Sequence, residues 1–194
     1  MVRQPSRIRL GAMVVLLGLS LGLMLDSMRG DSATVDEFDH LAAGYAYLRQ
    51  LDLRGLGSQY AYLGNRLQQG PLANAGAYLD HPPLIRGIAA IPLLFMDVHL
   101  PDEPVEGRAP LPAEYFYTSV KNADRILFWS RLPILLLFIL LLLLIARWAR
   151  ELYGPWAGLF ALFLAALNTT LMAHGRYVTT DLGEALFYAL ALYT

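Results

Sequence analysis

Four groups of polar side chains stand out in an otherwise apolar chain. They are the acid pair Asp36-Glu37, the pair Asp80-His81 ahead of two prolines, the lone Arg131, and Arg176 with Asp181. A carboxylate can take the proton of an attacking hydroxyl. An arginine grips a phosphate through its planar fork and stabilises the charge as that phosphate leaves. Carboxylates set beside arginines therefore suit a reaction on a phosphate, provided the intervening elements bring them to one surface.

Those elements are set by hydropathy. The 194 residues are 56% hydrophobic and 16% charged, with a mean hydropathy of +0.43. That is more apolar material, more unevenly placed, than a soluble domain of this length needs. The net charge of −1 gives no reason to expect nucleic acid. With no cysteine there is neither a disulfide nor a thiolate metal site.

Three segments are nearly free of charge: Leu10 to Leu25 (16 residues), Ile126 to Ala146 (21, interrupted by Arg131) and Leu152 to Ala173 (22). A helix needs about 20 apolar residues to cross the hydrocarbon core. The second and third segments satisfy this directly, and the first does so with its flanks out to Met28. Arg3, Arg7 and Arg9 before the first segment also fit a signal peptide, but the only cleavage candidate is a weak one ending at Ala33. An uncleaved anchor is the reading adopted.

Arginines in short loops mark the cytoplasmic side, and Arg147 and Arg150 follow the second span as Arg3, Arg7 and Arg9 precede the first. The expected order is then a cytoplasmic terminus and first span over 1–28, and an extracytoplasmic loop over 29–125. A second span over 126–147, a cytoplasmic turn over 148–154 and a third span over 155–173 come next. Residues 174–184 form a second outer loop, and 185–194 begin a fourth span within which the sequence stops, as the N-terminal part of a longer protein would. The 29–125 loop holds 12 acids against 8 bases, as a translocated segment should.

Two juxtamembrane helices are expected inside that loop, at about 35–50 and 83–96. Thr34 and Glu37 have the spacing of a capping box, and Phe38, Leu41, Tyr45 and Leu48 follow at helical intervals. Acids in a first helical turn are also favoured by the helix dipole alone. In "DHPPL", Pro82 and Pro83 hold the chain extended and open the next helix, which Asp80 or His81 could merely cap. Its charge-free stretch, Gly87 to Met96, is ten residues, about 15 Å of helix and half a bilayer core. Arg131 near the end of a span requires a partner, a wet cavity, or an extended side chain reaching the headgroups. Arg176 and Asp181 read equally as a plain loop ion pair. The Asn168-Thr169-Thr170 glycosylation triplet lies inside the third span and reads as an accidental match to that signal.

The ordered set "DE" (Asp36-Glu37), "HPPL" (His81 to Leu84), "SRLP" (Ser130 to Pro133), "LYGPWAGLFALFLAAL" and "HGRYVTTD" (ending at Asp181) resembles the membrane GT-C glycosyltransferases. The resemblance is to the protein O-mannosyltransferase and lipid A aminoarabinose transferase group, and it runs from about residue 8 onward. It implies an all-α multi-pass bundle in a bacterial plasma membrane with its active face extracytoplasmic. It also implies inverting transfer of a hexose, mannose or a relative, from a polyprenyl-phosphate donor to a hydroxyl on protein, lipid or glycan. On that resemblance Asp36 matches the catalytic base, with Glu37 in support and Asp181 as a second outer acid. Arg131 matches an arginine near the lipid phosphate, and Asp80 and His81 would hold the donor or a divalent metal, a cofactor the sequence leaves open; Arg176 is a further phosphate-binding candidate on its chemistry alone. The alternative from another class is a non-catalytic membrane subunit or scaffold binding lipid phosphates or a partner.

Overall fold

The fold is described from a computed structural model, over residues 7–34, 36–37, 40–41, 44–45, 48, 82–98 and 122–194. Among these residues the chain is mostly helical and contains no strand. The helices are α1 (Arg7–Gly30), α2 (Pro83–Ala90) followed by a 3₁₀ turn (Ile91–Phe95), α3 (Ala123–Tyr153), α4 (Pro155–Ala166), α5 (Thr169–His174) and α6 (Asp181–Tyr193). Positions 36, 37, 40, 41, 44, 45 and 48 are also helical. Asp80 and His81 lie outside the described residues.

Two helices, α1 with 24 residues and α3 with 31, are long and apolar enough to cross a membrane. At 1.5 Å per residue they measure about 36 and about 46 Å. α3 runs beyond the expected span at both ends and takes up nearly all of the expected cytoplasmic turn. Only Gly154 separates it from α4; its φ of 92° lies where a side chain would be strained. Pro133 inside α3 removes one backbone donor, which frees the Trp129 carbonyl from its helical partner.

The stretch expected as a single third span is broken. α4 has 12 residues, about 18 Å of helix. Asn168 then leaves helical geometry, and its side chain accepts from the Leu171 N–H at 2.9 Å to cap α5. A side chain that offers the backbone a competing bond ends one helix and starts another. Asn168, the first residue of that triplet, is this cap.

The chain divides into two compact units. One comprises Met1–Asp31, Arg131–Tyr177 and Asp181–Thr194; the other comprises Ser32–Ser130 and Val178–Thr180. In the first unit Met24, Ile134, Phe138, Leu142, Leu162 and Ala166 are buried. α1 meets this core along one narrow stripe, Ser20, Met24 and Met28, at four-residue intervals. Ser20 donates its hydroxyl to the Ala166 carbonyl at 2.8 Å, satisfying an acceptor at the end of α4. Val14, Val15 and Leu19 on α1, Leu136 and Leu140 on α3, and Phe160 on α4 face outward. In the second unit Leu41, Tyr45, Ile85, Ala89 and Leu93 are buried.

Candidate functional site

Each unit holds polar groups in contact among the described residues. In the first, Asp31 follows the last residue of α1, and Arg176 and Tyr177 lie between α5 and α6. One oxygen of Asp31, Oδ2, accepts from Arg176 Nη1 at 2.5 Å, from the Ser27 hydroxyl at 3.0 Å and from the Tyr177 hydroxyl at 3.4 Å. Arg176 Nη1 also donates to the Ser27 hydroxyl. The side chains of Arg176 and Asp31 remain 22% and 29% exposed. Burial opposes the charged form of Asp31, but the Ser27 bond and the neighbouring guanidiniums of Arg176 and Arg131 outweigh it. The Asp31 pKa is therefore held below the ordinary carboxylate value.

Arg131 sits deeper and is fully buried. Its Nη1 donates to the carbonyls of Asp31 at 3.2 Å and Met28 at 3.4 Å. Its guanidinium lies 5.3 Å from the centre of the Tyr177 ring, and that of Arg176 lies 4.7 Å from the same centre. Tyr177 thus serves as an aromatic contact for two cations. The requirement that Arg131 have partners is met by backbone carbonyls at the end of α1 and by this ring, not by an extended reach to water.

In the second unit Glu37 is fully buried. Its Oε2 accepts from the Thr34 N–H at 2.9 Å and the Thr34 hydroxyl at 3.3 Å, and its Oε1 accepts from the Val178 N–H at 3.0 Å. The expected reach of the Glu37 carboxylate back to Thr34 is present. The Thr34 hydroxyl, however, donates to that carboxylate, and the Glu37 N–H goes to the Thr34 carbonyl at 3.2 Å. Asp36, the preceding residue, is exposed.

Nearby, Arg86 Nε donates to His40 Nδ1 at 2.9 Å, with both side chains buried. An imidazole whose Nδ1 accepts carries its proton on Nε2 and is neutral. Tyr45 donates its hydroxyl to the Val98 carbonyl at 2.9 Å. Position 44 is glycine because a Cβ there would fall 2.2 Å from the Arg86 carbonyl oxygen. The 36–48 positions and α2 could not approach so closely with any side chain at 44.

Arg176 and Asp181 do not pair with each other. Arg176 pairs with Asp31, while Asp181, at the start of α6, stands 3.3 Å from His174 Nδ1 and is well exposed. Sequence reasoning missed Asp31, Tyr177, His40 and Arg86. Arg86 left a signal: the one charge in an apolar turn of α2 needs an acceptor if buried, and His40 offers one. Asp31 left a weaker signal, an acid directly after a span. Among the described residues no group of three or more His, Asp or Glu could hold a metal. Comparison with protein-family models, with curated proteins and with solved structures finds no match to this chain.

Proposed function

We propose that this chain is the N-terminal module of a multi-pass membrane glycosyltransferase of the GT-C type, facing the extracytoplasmic side. It transfers a hexose, mannose or a close relative, from a polyprenyl-phosphate donor to a hydroxyl, with inversion. In this reaction Asp36 takes the hydroxyl proton and the hydroxyl oxygen attacks the anomeric carbon. The bond from that carbon to the phosphate oxygen breaks, and polyprenyl phosphate leaves with the electron pair.

The observation that carries the reading is the geometry of Arg176. Its Nη1 is committed to Asp31 and Ser27, while its Nε and Nη2 make no hydrogen bond among the described residues. A guanidinium tethered through Nη1, on a side chain that is 22% exposed, keeps two donors with which to receive two oxygens of a phosphodiester. Asp36 is exposed and adds to the support for the reading as a base open to an acceptor. The full engagement of Glu37 favours the second reading, a non-catalytic subunit that binds lipid phosphates, because it removes the neighbouring acid from chemistry.

The test is transfer of labelled mannose from polyprenyl-phosphate mannose by the protein in lipid, with binding of polyprenyl phosphate measured in parallel. Asp36→Asn should abolish transfer and leave binding intact; Arg176→Gln should weaken binding about tenfold or more, the loss of a charged bidentate contact. Binding that needs Arg176 without any transfer would establish the subunit. Binding and transfer both indifferent to Arg176 would end the reading.

A further inference from the structure

The contacts of Asp31 tether Arg176, and they also fix a negative charge beside the two donors, Nε and Nη2, that Arg176 keeps. Asp31 Oδ2 is engaged by Arg176 Nη1 at 2.5 Å, by the Ser27 hydroxyl at 3.0 Å and by the Tyr177 hydroxyl at 3.4 Å. Asp31 Oδ1 accepts no hydrogen bond among the described residues. Burial opposes the charge, but the Ser27 bond and the Arg176 and Arg131 guanidiniums prevail, so the carboxylate is ionised at neutral pH.

The hydroxyl protons of Ser27 and Tyr177 both go to Asp31, which leaves Arg176 to supply the donors for an incoming phosphate. A phosphate held by Nε and Nη2 would stand within about 7 Å of Asp31, one guanidinium and two hydrogen bonds away. An ionised carboxylate has no proton to offer it and can only repel it. With Arg176 alone, attraction grows with the charge of the ligand, so a doubly charged phosphate would be held more tightly than a singly charged one. The repulsion from Asp31 grows with that same charge and offsets the advantage, while the more highly charged ligand still has the larger hydration to lose.

We propose that Asp31 is a specificity-determining residue, one that tilts the Arg176 contact towards phosphodiesters and away from phosphomonoesters. This selectivity rests on the reading of Arg176 as the contact for a lipid phosphate. A phosphodiester carries one negative charge, and a phosphomonoester carries about 1.5 to 2 at neutral pH. The transfer proposed above converts the first into the second. The bond from the anomeric carbon to the phosphate oxygen breaks, that oxygen keeps the electron pair, and the proton of the acceptor hydroxyl rests on Asp36. The lipid phosphate thus gains a negative charge in the step. A contact that holds the diester and releases the monoester frees Arg176 for the next donor.

The test uses the full chain in phosphatidylcholine nanodiscs and two probes that differ by one methyl group, a polyprenyl phosphate and its monomethyl ester. The quantity read is the ratio of their dissociation constants, at about 0.05 M salt to limit screening. Asp31→Asn should shift that ratio in favour of the monoester. The shift is about threefold if one extra charge at about 7 Å is screened as in water, and about fiftyfold at the screening typical near a protein surface. Asp31→Ser, also neutral, should shift it the same way, and Asp31→Glu, which keeps the charge, should hold it near the wild-type value. Ser27→Ala removes a tether but no charge and should leave the ratio unchanged. An unshifted ratio in Asp31→Asn and Asp31→Ser, with both probes still weakened by Arg176→Gln, would overturn the selectivity and leave the phosphate contact standing. Binding of both probes that ignores Arg176→Gln would overturn the contact and the selectivity together. Neither probe carries a sugar, so a failed transfer assay leaves these outcomes readable.

Discussion

Arg86 and His40 form a buried pair in which the imidazole acts as the acceptor for a guanidinium 46 positions along the chain. An arginine cannot shed its proton, so its burial requires acceptors, and a neutral histidine supplies one without adding charge. His40→Leu should therefore cost about 1–3 kcal/mol, the penalty for withdrawing an acceptor from a buried donor. His40→Asn, whose Oδ1 stands close to the position of Nδ1, should recover most of that loss. Thermal unfolding in lipid would check both; equal losses for Leu and Asn would remove the hydrogen bond from the account.

Asp31 makes a prediction about acid. Its pKa is lowered in the folded chain, so folding favours its charged form. The resulting stability is fully present above the ordinary aspartate value of about 4 and is lost as pH falls through the lower folded value. Wild type and Asp31→Asn should therefore differ by about 1 kcal/mol near neutrality, the upper range for a partly exposed ion pair. The difference should shrink below about pH 4. Unfolding curves at several pH values would show this convergence; a gap that widens in acid would contradict it.

Tyr177 predicts a coupling. If its ring accepts both Arg131 and Arg176, then Tyr177→Leu should remove about 0.5–2 kcal/mol for each cation, more for the buried Arg131. A double-mutant cycle between Arg131→Met and Tyr177→Leu isolates that share, and should return about 1 kcal/mol of interaction. Strict additivity would mean that the Tyr177 ring takes no part in holding Arg131.

How much of this was legible in the sequence depended on the range of each interaction. The two long apolar helices were readable because freedom from charge over some twenty residues is a local property of the chain. The reach of Glu37 to Thr34 was readable because capping acts over three residues. Arg131 announced that it needed partners, but not that these would be carbonyls at the end of α1. The pairing of Arg176 with Asp31, 145 positions apart, left no local trace, and the nearer Asp181 was the natural wrong choice. The break at Asn168 was hidden for another reason. Hydropathy scores an apolar stretch by its average, whereas a single cap acts through one hydrogen bond that an average cannot register.

Two glycines should respond in opposite ways to the same substitution. At Gly44 a Cβ would fall 2.2 Å from the Arg86 carbonyl oxygen and 2.6 Å from its carbon, both backbone atoms with no side-chain freedom to yield. Gly44→Ala must push the 36–48 positions away from α2, which also strains the bond between His40 and Arg86. A loss of about 1–3 kcal/mol is expected, the cost of overpacking. At Gly22 in α1 a Cβ would meet nothing within 4 Å. Gly22→Ala then changes only the freedom of the helix, and should be neutral or stabilising by up to about 1 kcal/mol. Measured side by side in lipid, the two variants separate close packing from backbone freedom. If Gly44→Ala proved as mild as Gly22→Ala, the close approach of position 44 to α2 would be refuted.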